Sequence, residues 1–163
     1  MSTARLQPPD ARDGRQSPAA FAIFRGVGRL LAAHGLAVVG EVALANGRRA
    51  DVVGVAEDGE IWIVEIKSCL EDFRADRKWP QYRAFCDRLL FAVAPDFPRE
   101  VLPQDAGLIV ADRYGGEILR PAPEHRLAGA RRKAMTLRLL RTAALRLQGV
   151  IDPDSDLEAP PRQ

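Results

Sequence analysis

The spacing of apolar residues alternates along this chain between helical and strand periods, and the changes mark out its elements. Ser17 and Pro18 signal a helix start, as cap and first position. Phe21, Phe24, Val27, Gly28 and Leu31 then recur at helical spacing through about His34, where Gly35 ends the run. Leu36 to Ala45 reads as a strand, and Asn46-Gly47 is a hairpin signal into the next, Arg49 to Ala56. Glu57, Asp58 and Gly59 separate it from Glu60 to Lys67, whose Ile61, Trp62, Ile63, Val64 and Ile66 predict a strand buried on both faces. Beyond a polar and aromatic stretch from Glu71 to Leu90, the apolar runs Leu89 to Ala94 and Gly107 to Asp112 predict two further strands, pairing parallel through the helical crossover. Pro95, Pro98 and Pro103 lie between them, and Arg113 to Glu117 turns the chain into Ile118 to Arg120.

Two helices are expected in the second half. Pro80 suits the first turn of one carrying Gln81, Tyr82, Phe85, Cys86 and Leu89, of which Tyr82, Phe85, Cys86 and Leu89 recur at three and four as its buried face. The other runs from about Leu127 to Leu147. Its predicted apolar stripe is Leu137, Leu140, Ala144 and Leu147, which leaves its arginines mainly on the exposed side. The chain reads as one α/β domain over 17–150, a mixed sheet flanked by helices, with 1–16 and 151–163 expected as flexible tails.

Inside the apolar runs stand charges that need a reason. Asp51 lies in the second strand, and Glu65 and Lys67 lie in the third. A three-residue loop ending in Gly59 pairs Ala56 with Glu60. Counting outward, Val55 faces Ile61, Val53 faces Ile63, and Asp51 comes opposite Glu65, with Cβ atoms about 5 Å apart. Lys67 shares the face of Glu65 because side chains alternate with period two. Like charges so placed require a shared proton or a cation, and a hard divalent ion such as Mg²⁺ suits two carboxylates that leave room for water and phosphate oxygens. A one-residue slip in the loop would send Asp51 to the other face. The ordinary alternative is an exposed sheet edge bearing a Glu/Lys pair, which the two-sided burial of the third strand disfavours.

Asp51 followed by Glu65-Ile66-Lys67 resembles the signature of the PD-(D/E)XK nuclease superfamily, with Ile66 at the variable position. The continuation through Lys67-Ser68-Cys69, Asp72-Phe73, Asp76, Lys78-Trp79-Pro80, Tyr82, Cys86-Asp87 and the strand from Leu89 is similar to the MmcB-like DNA-repair family, over roughly 17–120. The resemblance implies a restriction-endonuclease-like core and DNA as partner, alongside other repair proteins. It also implies Mg²⁺ or Mn²⁺ held by Asp51, Glu65 and the carbonyl of Ile66, with Asp51, Glu65 and Lys67 as the catalytic set. In the superfamily the helix after the lysine strand flanks the site, which makes Lys78, Gln81 and Tyr82 candidates to touch DNA. Trp79 is equally suited to closing the core. Asp72 and Asp76 would bond backbone groups or pair with Arg77 and Lys78.

The superfamily often adds a carboxylate ahead of its aspartate, and here that residue is Glu41. A two-residue loop at Asn46-Gly47 turns Glu41 away from Asp51, whereas a bulged three-residue loop turns it to the same face. Residues 17–34 contain no Asp or Glu, so the glutamate that many members carry on the first helix is missing. That departure favours the competing reading, a DNA-binding or assembly module that keeps the fold without cutting.

Composition narrows the classes. With 163 residues and 47% hydrophobic content the chain supports one cored domain. No apolar run is long enough to span a bilayer and the N-terminus has no hydrophobic signal region, so a cytoplasmic protein is expected. Cys69 and Cys86 lack metal spacing and read as small buried side chains. A net charge of +2 is too small to argue for nucleic acid, but its distribution is uneven. The last helix carries Arg131, Arg132, Lys133, Arg138, Arg141 and Arg146 without an acid, and Arg131 and Arg138 are candidate phosphate contacts. His34 and His125 are isolated, and there is no zinc pattern, phosphate-cradling glycine loop or Gly-x-Ser-x-Gly motif.

Overall fold

A computed structural model describes residues 17–154, so the expected tail 1–16, and the expected tail at the other end from 155 onward, lie outside the described residues. Helix α1, Pro18–Ala33, starts as its sequence predicts, with the Ser17 hydroxyl accepting the Ala20 N–H at 3.1 Å and Pro18 in the first turn. Strands β1 (Ala37–Ala43), β2 (Arg49–Val55) and β3 (Ile61–Lys67) follow as antiparallel neighbours. Helix α2 (Leu70–Ala75) and a 3-10 segment, Trp79–Phe85, carry the chain over to β4 (Arg88–Val93), parallel to β3. Strand β5 (Gly107–Ala111) continues in parallel, β6 (Gly116–Arg120) returns antiparallel, and α3 (Gly129–Ile151) closes the fold. The sheet order is β1-β2-β3-β4-β5-β6.

Both N-terminal hairpins turn on the same device. Each loop has three residues, Ala45-Asn46-Gly47 and Glu57-Asp58-Gly59, closed by N–H to carbonyl bonds from Leu44 to Arg48 (2.7 Å) and from Ala56 to Glu60 (2.9 Å). The final glycine of each sits in the left-handed region, at φ 82° for Gly47 and 86° for Gly59, where a side chain would be strained. The Asn46 side-chain amide oxygen and the Asp58 carboxylate each accept the N–H two residues on, at 3.1 and 2.9 Å. The longer of the two loops considered at Asn46-Gly47 is therefore the one adopted.

Helix α1 covers one face of the sheet, burying Ile23, Val27 and Leu31 against Val52, Val64, Ile66, Leu90 and Ile109. The 3-10 segment and α3 cover the other, with Tyr82, Met135 and Leu139 against Val42, Val53, Ile61, Ile63 and Leu89. A third cluster, Phe91, Val93, Phe97, Leu102 and Leu108, is edged by Phe73 and Trp79. Strand β3 is consequently buried on both sides, as its continuous apolar run requires.

Two expectations are corrected. The segment after Pro80 is a 3-10 turn that stops at Phe85, and Leu89 belongs to β4 rather than to a helix face. The stop is set by Asp87, which is 2% exposed and whose N–H donates to Ile61 O at 2.7 Å. The Asp87 carboxylate in turn accepts from the N–H groups of Ile61 (2.8 Å) and Leu127 (2.9 Å) and from both Nη atoms of Arg132 (2.7 and 2.8 Å). Against burial, which pushes it up, the Arg132 hydrogen bonds and the two backbone donors hold its pKa down at about 2.

Helix α3 is rotated from its predicted orientation. Met135 and Leu139 face the core, whereas Leu137, Leu140 and Leu147 are exposed. Of its arginines, which remain mostly exposed, several reach back to the fold, among them Arg132 to Asp87, Arg138 to Ala43 O at 3.0 Å, and Arg146 to the carbonyls of Gly40 and Glu41. Strand β1 is a sheet edge, and the Arg138 and Arg146 guanidinium groups satisfy carbonyls along it. Hydrogen bonding to an edge strand and to a buried carboxylate outweighs the exposure of a few leucines.

Candidate active site

The hairpin count places Asp51 against Glu65, and the structure brings them together. Paired residues run from Val55↔Ile61 to Val52↔Val64, which makes Asp51 and Glu65 the next pair. Carboxylates take over the bonding there. Asp51 Oδ2 accepts the Ile66 N–H at 2.8 Å, and Glu65 Oε1 accepts the Asp51 N–H at 3.3 Å. Each acid thus holds the backbone of the neighbouring strand and is itself held in place.

Glu41 joins them. Gly40 pairs with Val52 and Val42 with Ala50, so Glu41 stands opposite Asp51. Its φ is 47°, and it alone among the described non-glycine residues has a positive φ. That conformation costs about 1–2 kcal/mol for an L-residue. It also resets the strand alternation. Val39 and Val42, three apart on β1, pack in the same core, as do Val53 and Ala50 across from them. The Glu41 carboxylate lies 3.6 Å from Arg49 Nη2.

Lys67 is 5% exposed and donates to Asp76 Oδ2 at 2.8 Å. Asp76 also accepts the Lys78 N–H at 3.1 Å and faces Arg48 Nη1 at 3.8 Å. Against its burial, the Lys67 hydrogen bond and charge hold the Asp76 carboxyl below its usual range. Tyr82 donates its hydroxyl to Arg49 O at 3.1 Å, and Arg48 lies over its ring at 5.5 Å. Glu41, Asp51, Glu65, Ile66, Lys67, Asp72, Asp76 and Tyr82 all line one cavity of ≈ 640 Å³.

The electrostatics of this cavity are unbalanced. Burial first, and the facing Asp51 second, push the Glu65 pKa up to about 8. Burial raises Asp51 to about 6, opposed mainly by the Ile66 N–H and by the Lys67 charge. Burial and the charge of Glu65 likewise raise Tyr82. With Lys67 already paired to Asp76, a single lysine does not neutralise two facing acids. Their donor chemistry fits a hard divalent ion, which would favour both ionised forms at once. Asp51 and Glu65 with the Ile66 carbonyl would form its ligand set, and Glu41 is placed to extend it. Among the described residues no group of three or more His, Cys, Asp or Glu is already arranged as a metal site.

The remaining candidates divide. Tyr82 lines the cavity. Lys78 is exposed beside it, with its backbone bonded to Asp76. Gln81, Arg131 and Arg138 line a different cavity, of ≈ 580 Å³, between the first hairpin loop, the 3-10 segment and α3. Trp79 belongs to the core, its ring edge-on to Phe91 at 5.3 Å. Cys86 is buried as predicted, whereas Cys69 is exposed and borders the acidic cavity. Among the described residues, α1 and its cap reach that cavity only through Ala20 and Ser17, neither of them an acid. The expectation that Asp76 bonds backbone groups or pairs with Arg77 and Lys78 covers its bond to the Lys78 N–H but not its pair with Lys67, and nothing in the sequence singles out Arg48. Their roles depend on α2 folding back over β3, which no local period encodes.

A model of the family described as DNA repair protein MmcB-like matches residues 7–154 of this chain. A solved structure, the SPO1766 protein of unknown function from Silicibacter pomeroyi, is similar to it at 45% identity with a TM-score of 0.84, over 88% of this chain and 99% of that one. No curated protein matches.

Proposed function

Because this chain belongs to the MmcB-like DNA repair family, we propose that it serves DNA repair as a metal-dependent deoxyribonuclease with a PD-(D/E)XK core. The observation that carries this reading is the convergence of Asp51, Glu65 and Lys67 from two adjacent strands in one polar cavity. Asp51, Glu65 and the Ile66 carbonyl would hold Mg²⁺ or Mn²⁺, with Glu41 as a further donor. Bound there, such an ion polarises a phosphodiester and acidifies water. Lys67, fixed by Asp76, places its ammonium where a water attacks and where phosphate charge grows. Asp51 and Glu65 anchor themselves to the neighbouring strand, so the acids are preorganised before substrate arrives. Arg48 and exposed Lys78 supply positive charge at the rim for the DNA backbone.

A second reading is favoured by one observation: α1 meets the cavity without an acid. It makes the protein a DNA-binding or complex-assembly module that has kept the fold and lost cutting. Incubating the full chain with Mg²⁺ or Mn²⁺ and single-stranded, duplex, flapped and branched DNA separates the two. The enzyme reading expects cleavage that Asp51→Ala and Lys67→Ala abolish, with Mn²⁺ heat of binding lost in Asp51→Ala. Wild-type protein that cuts none of these substrates would leave the second reading standing.

A further inference from the structure

The second cavity differs from the first in having, among the described residues, no acid to balance its cations. Its floor is apolar, made by Phe85, Ala134 and Met135. Arg131, Ala134, Met135 and Arg138 fall at i, i+3, i+4 and i+7 of α3, so they form one stripe with a guanidinium at each end. Each of these arginines is fixed by a main-chain carbonyl, Arg131 by Ala84 O at 3.2 Å and Arg138 by Ala43 O at 3.0 Å. Asn46 and Gln81 add amide groups to the wall. Small-molecule pockets have this build: mostly apolar, with a few polar groups that set orientation.

The two cavities share a wall. Arg48 donates through Nε to Gln81 Oε1 at 2.9 Å in the apolar cavity. Its Nη1 faces Asp76, and its guanidinium covers Tyr82, both of which line the acidic one. A polyanion leaving the acidic cavity therefore passes a cation and arrives at an apolar recess rimmed by two more.

We infer that the cavity between Phe85, Met135, Arg131 and Arg138 binds an unstacked nucleobase of single-stranded DNA, with the adjoining phosphates held by the two arginines. The inference rests on the proposed action on DNA and deepens it by naming the substrate class. An apolar recess with an aromatic wall gains nothing from a duplex, whose bases are stacked and paired inside. An unpaired base offers its face to Phe85 and its edge to the amides of Asn46 and Gln81. Inorganic phosphate alone would use the arginines and leave the apolar floor empty.

The test uses the full chain in EDTA, so that it is independent of metal and of cutting. A short single strand carrying a fluorescent adenine analogue is titrated with wild-type protein and with Ala134→Trp, which fills the recess from an exposed helix position. Binding with a change in analogue fluorescence is expected for wild type, weaker by about tenfold or more in Ala134→Trp, as loss of one stacked base implies. The matching duplex should compete poorly, and inorganic phosphate should not displace the strand. Equal binding by a folded Ala134→Trp, a duplex that competes as well as the strand, or displacement by phosphate would each overturn the inference. Absence of cleavage with Mn²⁺ would overturn only the nuclease reading, since strand binding in EDTA does not depend on it.

Discussion

Replacing Glu65 with Gln should make this protein more stable at neutral pH and change little in acid. Glu65 is 3% exposed, and its pKa rises from 4.5 to about 8 through burial and the facing Asp51. Below pH 4.5 the group is protonated in both folded and unfolded chains and contributes nothing to the pH dependence. Between 4.5 and about 8 the unfolded chain releases the proton while the folded chain keeps it, so stability falls as pH rises. At about 1.4 kcal/mol per pH unit, the loss reaches about 3 kcal/mol by pH 7 and levels off near about 5 kcal/mol above pH 8. The amide of Gln keeps an oxygen to accept the Asp51 N–H but has no proton to lose. Asp51 faces Glu65 and titrates with it, so the difference between the two proteins reports the pair rather than Glu65 alone. The assay is urea denaturation in EDTA at a series of pH values from 5 to 8, comparing midpoints and slopes. The expected result is a stability gap that opens in favour of Glu65→Gln as pH rises. Adding Mn²⁺ at pH 8 should raise the stability of wild type and do so less in Glu65→Gln, because a ligand that binds only the folded state stabilises by mass action. Parallel pH profiles for the two proteins would refute the argument that burial and the facing acid keep Glu65 from ionising.

Four further outcomes follow from particular contacts. Glu41→Gly should stabilise the fold by about 1 kcal/mol by relieving the left-handed backbone at φ 47°, while weakening Mn²⁺ binding in calorimetry if Glu41 completes the ligand set. Arg132→Met should destabilise by about 3 kcal/mol in urea, because it leaves the Asp87 carboxylate buried without its cation. Asp87 also sets an acid limit: its pKa falls from 3.8 to about 2 on folding, so about 2 kcal/mol of stability is present above pH 4 and is lost as pH falls through 2. Gly26→Ala should cost about 2 kcal/mol or more, read as a fall in Tm, because its Cβ would lie 2.0 Å from Asp112 O and 2.5 Å from Gly115 O, both main-chain atoms.

Local chemistry was sufficient to write down the heart of the site. A glycine-ended loop of three residues and a side-chain period of two placed Asp51 opposite Glu65 and put Lys67 on the same face, and the register obeys that count. The same rules left Glu41 open, because two loop lengths were compatible with Asn46-Gly47. Packing decided it: the longer loop is adopted, and Glu41 takes a strained φ whose carbonyl is held by Arg146 from the far end of α3. The Lys67 to Asp76 pair was equally out of reach, since it depends on α2 and the following turn folding back over β3. Helix α3 shows most clearly where periodicity stops. The expected stripe is Leu137, Leu140, Ala144 and Leu147, but Met135 and Leu139 are the residues buried. The sequence determined that this segment is a helix, because that depends on residues three and four apart. Which side faces inward was decided by Asp87 and the edge of β1, which bind Arg132, Arg138 and Arg146 and so fix its rotation from 45 to 105 residues away in the chain.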